Sequence, residues 1–409
     1  MNKTIEFGIG FVTGRDNVCN LINNYYENIL EQVKEYEKKT NVTFFILYDT
    51  NYINTPKENF NKINPEVFEK VNIKYITIED IEEEKKNLMK KYNLLPREVE
   101  LILGTGHAKG RNTVMYYALK NKIDYLLFWD DDEYPVACVK DKDKIIWKEQ
   151  KNVLKHLENI EDVEITIGYH CGYISPIPYI EVKDEKESEI FKNYIEAISN
   201  EVVSWNQIKN LMEKYEGITY ADSEIADGKN KYFLQEHQTK WVVGSTLCIN
   251  LKKIEKIPAF FNPKGARGED AFFSLNLDDC KVAKIPVYHF HDGFLKYTDI
   301  MKNNYPEKLS RIEFENDMKI EERFIKASIG WIKYKPLLLY INNKEKYKEK
   351  IDIIRKELDI SIPKISKIFN NNSFYQLINI LDDYDSYVEV DYEKFKKTNK
   401  VWNILKKDI

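Results

Sequence analysis

The chain predicts an α/β fold, a Rossmann-like and mostly parallel central sheet flanked by helices, with an additional C-terminal helical region. Three observations carry this. Over the first 130 residues, short runs that are apolar on both faces alternate with stretches of helical period, the pattern of a parallel sheet covered by helices. From residue 135 the strand-like runs are separated by longer, irregular connections. From about residue 300 one helical stretch follows another, as in "EERFIKASIGWIKY" and "KEKIDIIRKELDI".

The elements follow in order. "TIEFGIGFVT" (4–13) reads as a strand, and Asp16 is placed to cap a helix carrying Val18, Leu21, Ile22, Tyr25, Ile29, Val33 and Tyr36 at three-to-four spacing. "VTFFILYD" (42–49) and "NIKYITI" (72–78) are further strands, "KGRNTVMYYALKNK" (109–122) a helix, and "IDYLLFW" (123–129) the next strand. "VEITIGYHCGYI" (163–174), "WVVGSTLCINL" (241–251) and "KVAKIPVYHF" (281–290) complete the strand set. A charged, partly helical insertion is expected over 183–232. The predicted organisation is 1–299, in two halves (1–134 and 135–299), then helices over 300–409.

Composition narrows the function. The formal net charge is −5, so no global field draws the chain to nucleic acid. The five cysteines are scattered without CxxC spacing, which argues against a zinc site or a disulfide framework and for a reducing compartment. The first residues read as a strand and not as a signal peptide, and no apolar run approaches the roughly 18–20 residues that cross a bilayer. A cytoplasmic protein, at most peripheral to a membrane, is expected.

In open parallel sheets ligands bind beyond the carboxyl ends of the strands. Arg15, Asp49 and Asp130–Asp132 all follow a strand directly, so they should crowd one edge. If the chain stays extended there, Asp130 and Asp132 point one way and Asp131 the other. Two carboxylates at an open edge suit a hard divalent cation that completes its shell with water and phosphate, although acids in a solvated turn would look the same. "GHAKGRN" (106–112) sets Lys109 and Arg111 at a helix start, where free amides favour an anion. Arg111 could equally serve only as a salt-bridge partner for nearby acids. In "GARGEDAFFSLNL" (265–277), Glu269 and Asp270 either cap a helix or offer a general base. In "IPVYHFHDGF" (285–294), His289 and His291 share one strand face, and a neutral imidazole could complete a metal site.

Taken in order, a first strand ending "TGR", "RN" before "LLFWDDDE", "RGEDAFF" and "VYHFHDGF" resemble the GT-A fold of nucleotide-sugar-dependent glycosyltransferases, family-2-like, over residues 4–295. Asp130-Asp131-Asp132 is similar to that family's DxD motif, "GED" to its acceptor-side acidic motif, and the histidine stretch to its late metal ligand. The resemblance implies a nucleoside-diphosphate-sugar donor, UDP- or GDP-linked, and Mn²⁺ or Mg²⁺ on its diphosphate. It implies a hexosyl transfer to a glycan, lipid-linked or protein hydroxyl, with 1–134 as the nucleotide- and metal-binding half, 135–299 as the acceptor half, and the tail over 300–409 presenting an acceptor or mediating homo-oligomerisation, away from the donor. Asp132, Asp130 and one of His291 and His289 would hold the metal, with His291 favoured as nearer the strand end. Thr13, Arg15, Asp49, Lys109, Arg111, Asp130 and Asp131 would meet the donor, Asp49 at the base or ribose and Asp131 at the ribose or a metal-bound water. Asp270, ahead of Glu269, would be the base if the reaction inverts, held ionised by its helix start. The rival readings are a metal-dependent nucleotidyltransferase or phosphodiesterase and a non-catalytic sugar-nucleotide-binding protein.

Overall fold

The computed structural model describes residues 4–50, 52–173, 176–199, 204–229, 233–235, 240–314 and 318–408. Strand β1 (Ile5–Thr13) leads through the helix Asn17–Glu35 to β2 (Thr40–Tyr48) and β3 (Asn72–Ile76). After the helix Ile78–Tyr92 come the helix His107–Lys120 and β4 (Tyr125–Phe128). β5 (Ile165–Tyr173), β6 (Leu247–Asn250) and β7 (Val282–His291) complete the sheet. Its order is Phe233–Leu234, β7, β5, β6, β4, β1, β2, β3.

β1 is parallel to β2 and β4, and β2 to β3. β6 runs antiparallel to both β4 and β5, while β7 is parallel to β5. Of these seven strands β6 alone is reversed, so the other six deliver their carboxyl ends to one edge. The predicted mostly parallel α/β sheet is what forms. Its central strands are buried on both faces, Phe7, Ile9, Phe11, Phe44, Phe45, Ile46 and Leu47 having no measurable exposure, while the edge strands β3 and Phe233–Leu234 are partly exposed.

The first helix buries Val18, Leu21, Ile22, Tyr25, Ile29 and Val33 as its spacing requires. Asp16 stands at the cap position but its side chain makes no capping bond, and pairs instead with Lys62 at 3.2 Å. The helix His107–Lys120 packs flat on β1 because Gly110 has no Cβ; one there would collide with Val12. That close approach brings Arg111 to the sheet edge.

The strand expected over 241–251 is confined to its second half. Before it the backbone bends around Arg111, whose Nη1 donates to Gly244 O at 2.5 Å, and Thr246 adopts a positive φ of 55°, outside the extended range. In the inserted region, helices Glu185–Ile198 and Trp205–Tyr215 form. Asp184 caps the first and a reciprocal Ser204–Gln207 box starts the second, caps worth about 1 kcal/mol each. Residues 200–203 and 230–232 of that insertion, and Ile174 of the expected 163–174 strand, lie outside the described residues.

The C-terminal helices Met318–Asn342, Tyr347–Ile368, Gln376–Ser386 and Val388–Leu405 are not a separate body. Phe324, Ile332, Tyr334 and Leu338 share one apolar cluster with Phe191, Tyr194 and Trp205 of the insertion and with Phe261 and Phe272. Trp402 Nε1 donates to Ile257 O (3.0 Å) and Asn399 Oδ1 accepts from Ala259 N (3.0 Å), fastening the last helix to the loop that precedes the acid pair. Val401, Trp402 and Leu405 are buried with it, the two aliphatic side chains contributing about 1.5–3 kcal/mol each.

Candidate active site

At the carboxyl edge lies a cleft of about 340 Å³. Thr13, Arg15, Asp49, Arg111, Asp130, Asp131, Asp132, Glu269, Asp270 and His291 all line it, from four strand ends and two helix starts. The ladder explains the convergence. Trp129 N donates to Gly10 O (3.1 Å) and Asp49 N to Thr13 O (2.8 Å), so the ends of β1, β2 and β4 stay in step.

The three aspartates do not alternate as an extended strand would. The chain leaves β4 at Phe128 and turns at 131–132, returning Glu133 N to Asp130 O at 3.2 Å. Asp130 faces Arg111, with Nη2 to Oδ1 at 3.1 Å. Asp131 is turned inward, where Thr13 Oγ1 and Arg15 donate to it, and Asn17 Nδ2 donates to its carbonyl at 2.5 Å. Asp132 accepts from Arg15 Nη2 at 2.8 Å, with Arg323 Nη2 at 3.7 Å. Burial raises Asp130 to about 6, the neighbouring acids adding to it and Arg111 opposing. Burial also acts to raise Asp132, but Arg15 and His291 outweigh it and hold that carboxyl below its usual range.

Glu133, the fourth acid of the run, has another task. It is 3% exposed, and accepts from Ser245 Oγ (2.5 Å) with His289 Nδ1 at 3.0 Å and His170 Nε2 at 3.2 Å. β7 and β5 put His289 directly opposite His170. His289 is therefore not brought to the cleft; its ring packs against Trp129, centroids 5.0 Å apart. His291 is. Its Nδ1 meets the carbonyl oxygen of Tyr173 at 2.9 Å, which can only accept, so the proton sits on Nδ1 and the Nε2 lone pair is left for a ligand. Asp132 is tied to the same strand, since Asp292 N donates to Asp132 O at 2.9 Å and Glu133 pairs with His291 in register.

Asp132 and the oriented imidazole of His291 make at most a two-ligand site, the number that a hard divalent cation bound mainly by phosphate and water can accept. Among the described residues no three His, Cys, Asp or Glu side chains come together as a metal site, so substrate oxygens and water would have to supply most of the ligands.

Across the cleft, Gly268 adopts φ 87° and starts the helix Glu269–Ser274. A Cβ at Gly268 would sit 2.8 Å from the Tyr334 ring, so the turn needs glycine on both counts. Arg111 Nε lies 3.5 Å from Glu269 Oε1, and its guanidinium covers the Phe128 ring at 5.1 Å. Burial acts to raise Glu269, but His107 and Arg111 outweigh it and keep the carboxylate low. Asp270 goes the other way. Burial and the charge of Glu269 push it up to about 7, so the helix start does not hold it ionised as expected. The first-turn amides, Ala271 N among them, pull it down, but burial and the adjacent anion outweigh them. Two carboxyls with separated pKa values, one near neutrality, suit proton transfer.

Three placements were not legible in the sequence. Lys109 does not line this cleft; it faces a second one on the other side of Gly106. The free amides expected at that helix start are partly spent, for Ala108 N donates to Asn262 Oδ1 at 3.1 Å. The helix Met318–Asn342 contributes Arg323, Trp331 and Tyr334 to the cleft wall, so the tail is not remote from it.

Compared with protein families and with curated proteins, the chain matches none. Among solved structures it is similar to residues 1–349 of TarS from S. aureus, at 12% identity and a TM-score of 0.32, over 95% of this chain and 92% of that one. A longer TarS structure gives 11% and 0.31, over 95% and 55%. The mannosyltransferase Ktr4p from S. cerevisiae gives 12% and 0.21, over 68% and 61%. At such scores the likeness says nothing of function, which must come from the cleft's own residues. No helix among the described residues is long and apolar enough to cross a membrane.

Proposed function

We propose that this protein is a glycosyltransferase of GT-A type, moving a sugar from a nucleoside-diphosphate donor to an acceptor hydroxyl with the help of Mn²⁺ or Mg²⁺. One observation carries the reading. A single cleft holds an acidic triplet beside His291 on one wall and the Glu269–Asp270 pair on the other, with Arg111 reaching both.

The diphosphate would lie along the triplet, met by Arg15 and Arg323 as well as Arg111. A cation on Asp132 and His291, when bound, would supply further positive charge for the departing nucleotide. Arg111 would stabilise the same charge from the protein side, in a buried position where such a contact is worth most. Asp49 and Tyr52, which also line the cleft, would hold the ribose or base. Asp270 would take the proton from the attacking hydroxyl, its carboxyl kept near neutral pKa and oriented by Ala271 N, which donates to Oδ1 at 2.9 Å. Glu269, already spent on Arg111, would position that arginine. The reading keeps a UDP- or GDP-linked hexose as donor and a cytoplasmic setting.

The test is a panel of UDP-, GDP- and CDP-sugars with Mn²⁺, following slow donor hydrolysis without acceptor. Release of nucleoside diphosphate and free sugar from one donor is the expected result. Release of pyrophosphate from nucleoside triphosphates, with no sugar-nucleotide turned over, would make it a nucleotidyltransferase instead.

A further inference from the structure

Beyond the acid-lined cleft, and sharing Gly106 and His107 with it, opens a larger cavity of about 590 Å³. We propose that it binds the acceptor, and that the acceptor is a glycan carrying phosphate groups next to the hydroxyl that is glycosylated. The proposal rests on the sugar-transfer reading for the neighbouring cleft.

The walls are built, not incidental. The floor is apolar, from Leu101, Phe260, Phe261 and Pro263. Asn112 clamps the Phe260 backbone from both ends, accepting from its N (2.8 Å) and donating to its O (2.9 Å), and Asn262 holds Ala108 N. Tyr384 donates to Lys264 O, so the C-terminal helices brace the same loop.

The rim is cationic on a chain whose net charge is −5. Arg97, Lys109, Lys264, Lys394 and Lys397 face the cavity, with Glu100 and Asp391 as its acids. Lys394 is paired with Asp391 at 2.9 Å and Lys397 with Glu98 at 2.9 Å. Arg97, Lys109 and Lys264 have no ion-pair partner among the described residues. Burial, then Lys85, Lys264 and Lys394, depress the Lys109 ammonium against the pull of Glu100. An anion entering there relieves that mutual repulsion. A neutral sugar would not.

Direction fits as well. The loop Phe260–Ala266 that forms the floor runs straight into Arg267–Asp270 of the other cleft. A chain lying on the floor would present its hydroxyl toward Asp270, past the shared Gly106–His107 wall. The buried phenylalanines close the floor beneath the ligand, and its phosphates would meet the cations of the rim in charge-assisted hydrogen bonds.

The test measures binding alone, on the full chain, at low ionic strength and by ligand-observed NMR titration, with trehalose 6-phosphate, trehalose and inorganic phosphate as probes. Trehalose 6-phosphate is expected to bind more tightly than either of the others. Lys264→Glu and Arg97→Glu, with unchanged melting, should each weaken it by about tenfold or more, the scale of a charge-assisted hydrogen bond lost. Equal binding of trehalose, or equal binding of inorganic phosphate, would overturn the proposal. So would binding that survives both substitutions but falls with Arg323→Ala, since the probe would then occupy the acid-lined cleft. Donor hydrolysis by the wild-type chain, run in parallel, keeps the two readings apart. Hydrolysis without probe binding overturns this proposal alone, and probe binding without hydrolysis of any donor overturns the transfer on which it rests.

Discussion

Arg111 Nε stands 3.5 Å from Glu269 Oε1. The other edge of the same guanidinium meets Asp130 at 3.1 Å and Gly244 O at 2.5 Å. One planar fork thus fixes the distance between the acid pair and the triplet. A lysine has neither the fork nor the delocalised charge to do this. Arg111→Lys is expected to keep the fold and lower transfer by about 10²–10³, the cost of losing a preorganised donor to developing negative charge. Arg111 also lowers the pKa of Asp270, so the rising limb of the pH profile should move to higher pH if the rate is reduced but measurable. A variant with wild-type rate and an unmoved profile would leave Arg111 a packing residue.

The metal assignment separates two histidines that look alike in sequence. His291→Ala should abolish any strengthening of nucleoside-diphosphate binding by Mn²⁺, as should Asp132→Asn, because both are placed to hold the ion against the diphosphate. His289→Ala should leave that strengthening in place and lower stability instead. Calorimetry with and without Mn²⁺ decides it. Identical affinities in the wild-type protein under the two conditions would remove the metal from the reading altogether.

The strands, their mostly parallel sheet and the edge where chemistry gathers were legible because they depend on local pattern; the order of the strands was not. Apolar runs such as Phe44–Leu47 can only be central strands, and residues just past their ends, Arg15, Asp49 and Asp130, have nowhere to go but one edge. What depends on distant partners was not legible. The four acids from Asp130 to Glu133 are equivalent in sequence. Glu133 differs only because β5 and β7 pair His170 with His289 beside it. Arg323 and Tyr334 carried no signal, since a helix rich in Lys, Arg and aromatic residues gives no hint of which face meets a cleft. The alternation expected for the triplet failed because a turn, set by the Glu133 anchor and Asp292 N, replaces the extended chain there.

That anchor has its own pH signature. Burial acts to raise Glu133, but His170 and His289 hold it well below its usual range, while burial acts to lower His170 and Glu133 raises it. The carboxylate's contribution is present above its unfolded pKa near 4.5 and is lost as pH falls. The imidazole's is present below its unfolded pKa near 6.5 and is lost as pH rises through the raised folded value. Both hold together between those two. Glu133→Gln should therefore cost the most stability at about pH 5–6, of order 3 kcal/mol for breaking a buried pair, and less at pH 9. A destabilisation independent of pH across denaturant titrations would mean that shape alone, not charge, holds Glu133.

The tail can be tested through one side chain. Arg323, on the helix Met318–Asn342, approaches Asp132 at 3.7 Å and stacks over Phe294 at 5.4 Å. Arg323→Ala should weaken nucleoside-diphosphate binding by about tenfold, the scale of one charge-assisted contact, with little change in melting because the residue is part-exposed. Unchanged affinity would return the tail to a purely acceptor-side or structural role.

Asp270 makes the strongest claim and the one with two independent readouts. Its carboxyl is raised to about 7, first by burial and then by the adjacent charge of Glu269. As a base it must be ionised, so the transfer rate at low substrate should climb tenfold per pH unit below about 7 and level off above it. Asp270→Asn should remove that limb, cut transfer by about 10²–10⁴ and leave donor affinity nearly intact. The same shift must appear in stability. With its folded pKa above the unfolded one, Asp270 contributes nothing adverse below about pH 4. It costs the native state progressively as pH rises toward 7, because the unfolded chain ionises first. Asp270→Asn should thus melt higher than wild type at pH 8, with the gap closing toward pH 4. Loss of transfer without that stability gain would mean that the carboxyl is ionised at ordinary pKa. Stability gain without loss of transfer would mean that its burial is real but another group takes the proton.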